Sequence, residues 1–350
     1  MMDEQAIGRN FPAIVYACDF SIWKRPIVRR FFGGSSVVFV RSASRVPVDG
    51  TLAVWGRKPV SGKLPEGVQL IHLEDGFLRS VGLGADLIRP MSWVIDASGI
   101  YYDATQPSGL EILLQKTDFT SELLARAARL RERVVGAGLT KYNVGSKGWQ
   151  RPSEAVRVIL VPGQVESDAS LRFGAPGVCT NLGLLQKVRE ANKDAYLVYK
   201  PHPDVVAGLR RKGKGEDTAG RWCNEVVVDV DMGELLQQVD EVHTLTSLAG
   251  FEALLRGKAV TCYGQPFYAG WGLTKDLEPV LRRSRRLSLD MLVAGALILY
   301  PVYISRATGR FIAPEQALDE LLAWRSMGKS RLSWWRNVYR FVVGKILRQP

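Results

Sequence analysis

Histidine is scarce, with three in 350 residues, and the four cysteines (Cys18, Cys179, Cys223 and Cys262) form no CxxC pair. A zinc cluster and a disulfide framework are both disfavoured, which suits a reducing compartment. No basic segment followed by an apolar run opens the chain, so no secretory leader is expected. The longest apolar run, residues 291–304, is too short to cross a bilayer and contains Pro301. Internal repeats and low-complexity tracts are missing as well. Acids are absent from residues 325–350, where seven Lys/Arg account for more than half of the net charge of +12.

What is present is ample apolar material: 46% hydrophobic and 9% aromatic residues fill a core in a chain long enough for two domains. The charge points to an anionic partner. The tail, residues 326–350, puts Trp334, Trp335, Val338, Phe341, Val342 and Ile346 near one helical face and Arg336, Arg340, Lys345 and Arg348 on the other. That pattern suits an amphipathic helix on anionic lipid; the alternative is a helix packed back on the protein. A second basic knot, "RRSRR" at 282–286, is either solvated surface or an anion site.

Short β-branched runs alternate with helical patterns. Strands are expected at "AIVYACDF", "SSVVFV", "TLAVWG", "VQLIHLEDG", "VRVILVPG", "AYLVYKPHP", "EVVVDV", "EVHTLT" and "AVTCYG". Residues 119–139 read as a helix capped by Thr120 or Ser121 and closed near Gly136 or Gly138. The fold class is therefore α/β, with parallel sheets covered on both faces. The alternation breaks once, near 147–155, which predicts two Rossmann-like domains facing a cleft, 1–150 and 151–325, followed by the basic tail 326–350.

Polar clusters fall where strands end, the crevice side of open α/β sheets. "HLEDG" supplies Glu74 and Asp75, "GQVESDAS" Gln164, Glu166 and Asp168, and "YKPHPD" Lys200, His202 and Pro203. "LTSLAGFE" leads Thr246 and Ser247 into a helix start, a natural anion site, with Glu252 further in. "YGQPFYAGWG", containing Gln265, suits a tight loop around a ring. Each has a plainer explanation: a turn at 74–76, a loop histidine, a helix cap at Ser247, an Asx turn or cap at Asp168. "DVD" at 229–231 is a weak metal signal that reads better as a strand closure, and His72 and His243 read as strand residues. In an extended Glu166–x–Asp168 both carboxylates share a face, and like charges so close push their pKa values apart.

Together "EDGFLRS", "GQVESDAS", "YKPHPD", "HTLTSLAGFEALLRG" and "GQPFYAGWGLT" occur in order, and the chain resembles the capsule polysaccharide KpsC family of retaining β-Kdo glycosyltransferases. The resemblance runs from residue 20 to about residue 324. It is closest to the second, C-terminal module of proteins that commonly carry two. It implies a GT-B-like variant fold and a CMP-β-Kdo donor. The implied acceptor is an anionic glycolipid: a Kdo oligosaccharide on a (lyso)phospholipid. The second-module likeness implies linkage to the 7-hydroxyl. On that footing Asp168 is the expected nucleophile, with Glu166 orienting it or moving a proton. Asp75 is the expected general base on the acceptor, beside Glu74. His202, Thr246 and Ser247 are expected to face the departing phosphate, Lys200 the phosphate or the Kdo carboxylate, and Glu252 the ribose. Gln164, Pro203 and Gln265 are further substrate-side candidates. Arg79, Lys141, Lys147 and the Trp23–Lys24–Arg25 cluster offer cations for acceptor carboxylates. No cofactor, metal or nucleic acid is implied. The expected location is cytoplasmic and peripheral on the inner membrane through the tail, with capsule biosynthesis or export proteins as further partners. Competing readings are a CMP-sialic-acid transferase and a noncatalytic scaffold.

Overall fold

The computed structural model describes residues 11–81, 88–141, 145 and 147–327. The basic tail and its amphipathic pattern lie outside the described residues. The chain builds two sheets. The first holds β1 (Ile14–Cys18), β2 (Ser36–Val40), β3 (Thr51–Trp55), β4 (Gln69–Asp75) and β5 (Ser92–Asp96). Between them, α1 (Arg25–Phe31) crosses from β1 to β2. After the helices α2 (Gly109–Lys116) and α3 (Ser121–Gly136), the second sheet begins with β6 (Val158–Pro162). Then come α4 (Ala169–Gly174), α5 (Asn181–Ala191), β7 (Tyr196–Lys200), α6 (Pro203–Val206), β8 (Glu225–Val226) and α7 (Met232–Gln238). The sheet is completed by β9 (Glu241–Thr244), α8 (Leu248–Leu255), β10 (Ala259–Cys262) and β11 (Lys275–Asp276).

The second sheet, ordered β11-β10-β9-β6-β7-β8, is parallel throughout. The strand–helix alternation is thus borne out as an α/β protein. The first sheet departs from the parallel expectation. Its strands β1–β4 are parallel, but β5 runs antiparallel to β4. A fully buried strand reads as an unbroken apolar run whichever way it points, so direction was not encoded in the pattern. After α9 (Leu289–Val293) and a π-helical turn, the chain adds β12 (Pro301–Ile304) and β13 (Phe311–Ile312) to the first sheet, beside β5, before α10 (Pro314–Met327). Residues 301–312 therefore belong with the first sheet, not with the expected 151–325 unit. The physical reason is core packing: Val302 and Ile304 bury in the cluster that holds Phe31, Ile71 and Trp93.

Local signals account for several boundaries. Thr120 caps α3, its hydroxyl accepting the Leu123 N–H at 3.2 Å, and Gly138 supplies the left-handed exit at φ 62°. The expected strand at 225–230 shrinks to two residues because it forms the sheet edge, where Val226 and Val228 stay exposed. One apolar cluster joins the two halves, running from Met91, Ile100 and Leu114 through Leu160 and Val242 to Trp271 and Tyr300. The "RRSRR" knot serves this union rather than an anion. Arg282 and Arg283 both donate to the buried Glu111 on α2, and Arg285 donates to the Thr117 carbonyl at 2.7 Å. Among the described residues no helix is long and apolar enough to cross a membrane.

Candidate active site

The carboxyl ends of β4, β6, β7 and β9 surround a cavity of about 470 Å³. Of the expected site residues, Glu74, Asp75, Arg79, Gln164, Asp168, Lys200, His202, Pro203, Thr246, Ser247 and Glu252 line it. Glu166 and Gln265 do not.

The loop after β6 explains Glu166. Gly163 continues the strand pairing by donating to the Lys200 carbonyl at 2.8 Å, in a space where a Cβ would stand 2.6 Å from the Tyr199 hydroxyl. The chain then turns, closed by Asp168 N–H to the Val165 carbonyl at 2.9 Å. A turn, not an extended segment, separates the two acids, so they share no face. Glu166 points away and accepts the N–H groups of Asn181 at 2.8 Å and Lys214 at 3.0 Å, securing the start of α5. Its expected orienting or proton-moving role has no geometric basis. Gln265 is likewise turned outward, its backbone N–H on the Gly174 carbonyl and its amide on the Pro279 carbonyl. The glycine-aromatic loop around it is mostly core, with Tyr268 and Trp271 fully buried; only Pro266 and Phe267 reach the cavity.

Asp168 occupies the N-cap position of α4, yet its side chain makes no capping bond. It is solvent-exposed and on the cavity wall. The cap explanation of this residue fails. Ser247 does cap α8, accepting the Ala249 N–H at 3.2 Å, and so keeps that helix start aimed at the cavity. Gln164 and Thr246 lock to one another: the amide donates to the Thr246 hydroxyl at 3.0 Å and accepts its N–H at 2.9 Å. The pair ties the β6 and β9 ends together. His202 caps α6 through Nδ1, which accepts the Asp204 N–H at 3.1 Å. That bond leaves the proton on Nε2, and burial pulls the imidazole down to about 4 against the opposing charge of Asp168. His202 is therefore a neutral donor. Lys200, at the end of β7, is held below its usual range by burial, with Asp231 and Asp229 opposing. Asp231 in the "DVD" segment caps α7 by accepting the Glu234 N–H.

Across the cavity, Glu74 and Asp75 end β4. Burial and the Asp75 charge push the Glu74 carboxyl up to about 7. Burial acts on Asp75 in the same direction, but Arg79, bonded to it at 2.5 Å, with Lys141 and Lys24, holds it below the usual carboxylate range. The pKa values of these two adjacent acids are thus driven apart. This also bears on the choice of base: Glu74 titrates near neutrality while Asp75 is committed to Arg79. Glu252, on α8, accepts the Lys141 N–H at 2.7 Å, and burial raises it to about 7. Trp55, Trp93, Tyr101 and Tyr102 also line the site and were missed, since aromatic residues in or beside apolar strands read as core. Tyr102 accepts the Arg57 N–H at 2.9 Å and feels both Glu74 and Asp168, marking how near the two acid sites stand. Among the described residues no group of three or more His, Cys, Asp and Glu is arranged to hold a metal.

Comparison with known proteins gives consistent results. Residues 55–311 match the family model described as "Capsule polysaccharide biosynthesis protein". The capsule polysaccharide modification protein LipA of Neisseria meningitidis serogroup A is 45% identical over 342 residues, covering 95% of this chain but 49% of LipA. The chain thus spans about half the length of that relative. The lipopolysaccharide-processing protein LpsZ of Rhizobium meliloti is 39% identical, over 91% of this chain and 76% of its own. Among solved structures, the β-Kdo 2,7 transferase of Thermosulfurimonas dismutans KpsC is 42% identical with a TM-score of 0.73, covering 89% of this chain and 99% of that one. The β-Kdo 2,4 transferase of the same KpsC is 34% identical with a TM-score of 0.78, covering 89% and 98%.

Proposed function

Because the chain belongs to the capsule polysaccharide biosynthesis family, we propose that it is a retaining glycosyltransferase. In this reading it moves Kdo from CMP-β-Kdo to a Kdo-terminated, phospholipid-linked acceptor. The architecture is then a GT-B-like variant. Residues 1–150, joined by β12 and β13, serve the acceptor, and the second sheet serves the CMP-sugar. The observation that carries the reading is the facing of carboxylates: Asp168, free of any capping bond, stands on one wall and Glu74–Asp75 on the other.

Two displacements give retention. The Asp168 carboxylate attacks the anomeric carbon of Kdo, and the bond to the CMP phosphate breaks with its electron pair leaving on phosphate. The His202 Nε2–H and the N-terminal turn of α8 stabilise that charge; a well-placed donor of this kind lowers the barrier by about 3–4 kcal/mol. Lys200 adds a cation on the same side, and Glu252 receives the ribose hydroxyls. In the second step an acceptor hydroxyl attacks the same carbon from the face that CMP vacated, releasing Asp168. Glu74 takes the hydroxyl proton, and Asp75 with Arg79 keeps it poised. The 7-hydroxyl is the favoured site of linkage, supported by the higher identity to the 2,7 enzyme. The TM-scores order the two enzymes the other way. Side chains facing the acceptor, not backbone superposition, decide which hydroxyl is presented, so identity weighs more. Contact with the inner membrane rests on the sequence of residues 326–350.

Incubation with CMP-Kdo and a synthetic Kdo-terminated acceptor tests this, with anomer and linkage read by NMR. A β-linked product is expected. An α-linked product, or hydrolysis of the donor without transfer, overturns it.

A further inference from the structure

Two donors on the first-sheet side of the cavity are unspent. Lys24 precedes α1, and its ammonium lies 3.2 Å from the ring centroid of Trp55 and 5.8 Å from that of Trp23. Among the described residues no ion pair or hydrogen bond engages it. Burial draws its pKa down to about 8, with Asp75 and Glu74 opposing, so it remains largely charged at neutral pH. Trp93 sits opposite Asp75 in the β4–β5 pairing. Its ring is fixed by stacking on Phe31 at 4.4 Å and by an edge contact with Trp55 at 5.2 Å. The ring lines the cavity and is 1% exposed, yet its Nε1–H has no partner. A native protein rarely leaves a buried N–H and a half-buried ammonium both unsatisfied. Two neighbouring cations are engaged elsewhere: Arg79 on Asp75 and Ser80, Arg25 on the Phe20 carbonyl and over Phe39.

Resting on the transferase reading, we infer that Lys24 and the Trp93 N–H form an acceptor subsite that reads the carboxylate of the acceptor's terminal sugar. The Trp55 ring supplies the wall beneath the Lys24 ammonium. A neutral sugar would offer the ammonium only an uncharged acceptor, a weaker partner than a carboxylate. A phosphate dianion would bring twice the charge towards Glu74 and Asp75. A monoanionic carboxylate satisfies both donors and meets the smaller repulsion.

The test pairs two acceptors, one with the native terminal carboxylate and one with that group reduced to the alcohol. For the wild type, reduction should raise acceptor KM about 10- to 100-fold, the scale of a lost charge-assisted hydrogen bond. Lys24→Met should raise KM for the native acceptor by the same order, while adding little further loss on the reduced one. Trp93→Phe keeps an aromatic ring, though a smaller one, and loses the N–H; KM should rise about three- to tenfold for the native acceptor alone. If Lys24→Met does not fold, the Trp93→Phe result decides. Equal losses on both acceptors, or an unchanged KM in Trp93→Phe, overturn the subsite. CMP affinity, measured by calorimetry, separates the two readings. Wild type that binds CMP and transfers to both acceptors alike refutes the subsite alone. Wild type that transfers to neither refutes the transferase reading, and the subsite with it.

Discussion

One pair of acids ends a strand and the other lies in the turn after one, and they meet different fates. Glu74 and Asp75 are adjacent, both reach the cavity, and their pKa values are driven apart by burial, mutual charge and Arg79. Glu166 and Asp168 are two apart, and a turn sends one to the backbone of α5 and the other to the cavity. Adjacency forces shared electrostatics, whereas a spacing of two does so only while the chain stays extended. The first pair shares one electrostatic environment. The second sets a residue bound to backbone N–H groups beside one on the cavity wall.

The largest effect that can break this comparison belongs to Asp168. Asp168→Asn removes the proposed nucleophile and should lower transfer by about 10³-fold or more, with CMP affinity held within about twofold. Near-wild-type turnover would end the double-displacement account. Next is Glu74→Gln, which should lower kcat by about 10²–10⁴-fold, the usual yield of a general base. In the wild type, Glu74 is protonated below about 7, so kcat should fall as pH drops through that value. The Glu74→Gln variant should show no such limb. A limb that persists would move the base to another group.

Much of this site was legible because chemistry gathers at strand ends, and the apolar runs that mark strands also mark where they stop. Asp75, Asp168, His202 and Ser247 were all placed by that rule. Glu166 was not, because nothing in "GQVESDAS" announces that the segment turns. Gly163 shows its reason only when Tyr199 of the neighbouring strand is seen against it. Trp93 and Trp55 were invisible for a different reason: an aromatic in an apolar strand looks the same whether its edge meets core or cavity. The antiparallel strands of the first sheet, and the return of β12 to it, depend on long-range pairing that periodicity does not carry.

Smaller tests sharpen the contrast between the pairs. Glu166→Ala strips the acceptor from two backbone N–H groups and should cost about 1–2 kcal/mol of stability, read by thermal or urea unfolding. Transfer by the folded protein should remain within about threefold of wild type. A loss as large as that of Asp168→Asn would restore the paired reading of this loop.

The mildest and most discriminating change is Asp75→Asn. The Asp75 charge is one of the two forces that raise Glu74, the other being burial. Removing it leaves burial in place, takes away the repelling anion and leaves the Arg79 guanidinium charge without that carboxylate. Both electrostatic changes favour ionised Glu74, so its pKa must fall. The acid limb of kcat should therefore move to lower pH, by about one unit for a neighbouring charge in a partly solvated site. A static carboxylate that only orients substrate would lower kcat at every pH and leave the limb where it was. An Asp75 that is itself the base would abolish the limb. The direction of one pH profile thus separates a pair that titrates together from two acids that merely lie side by side.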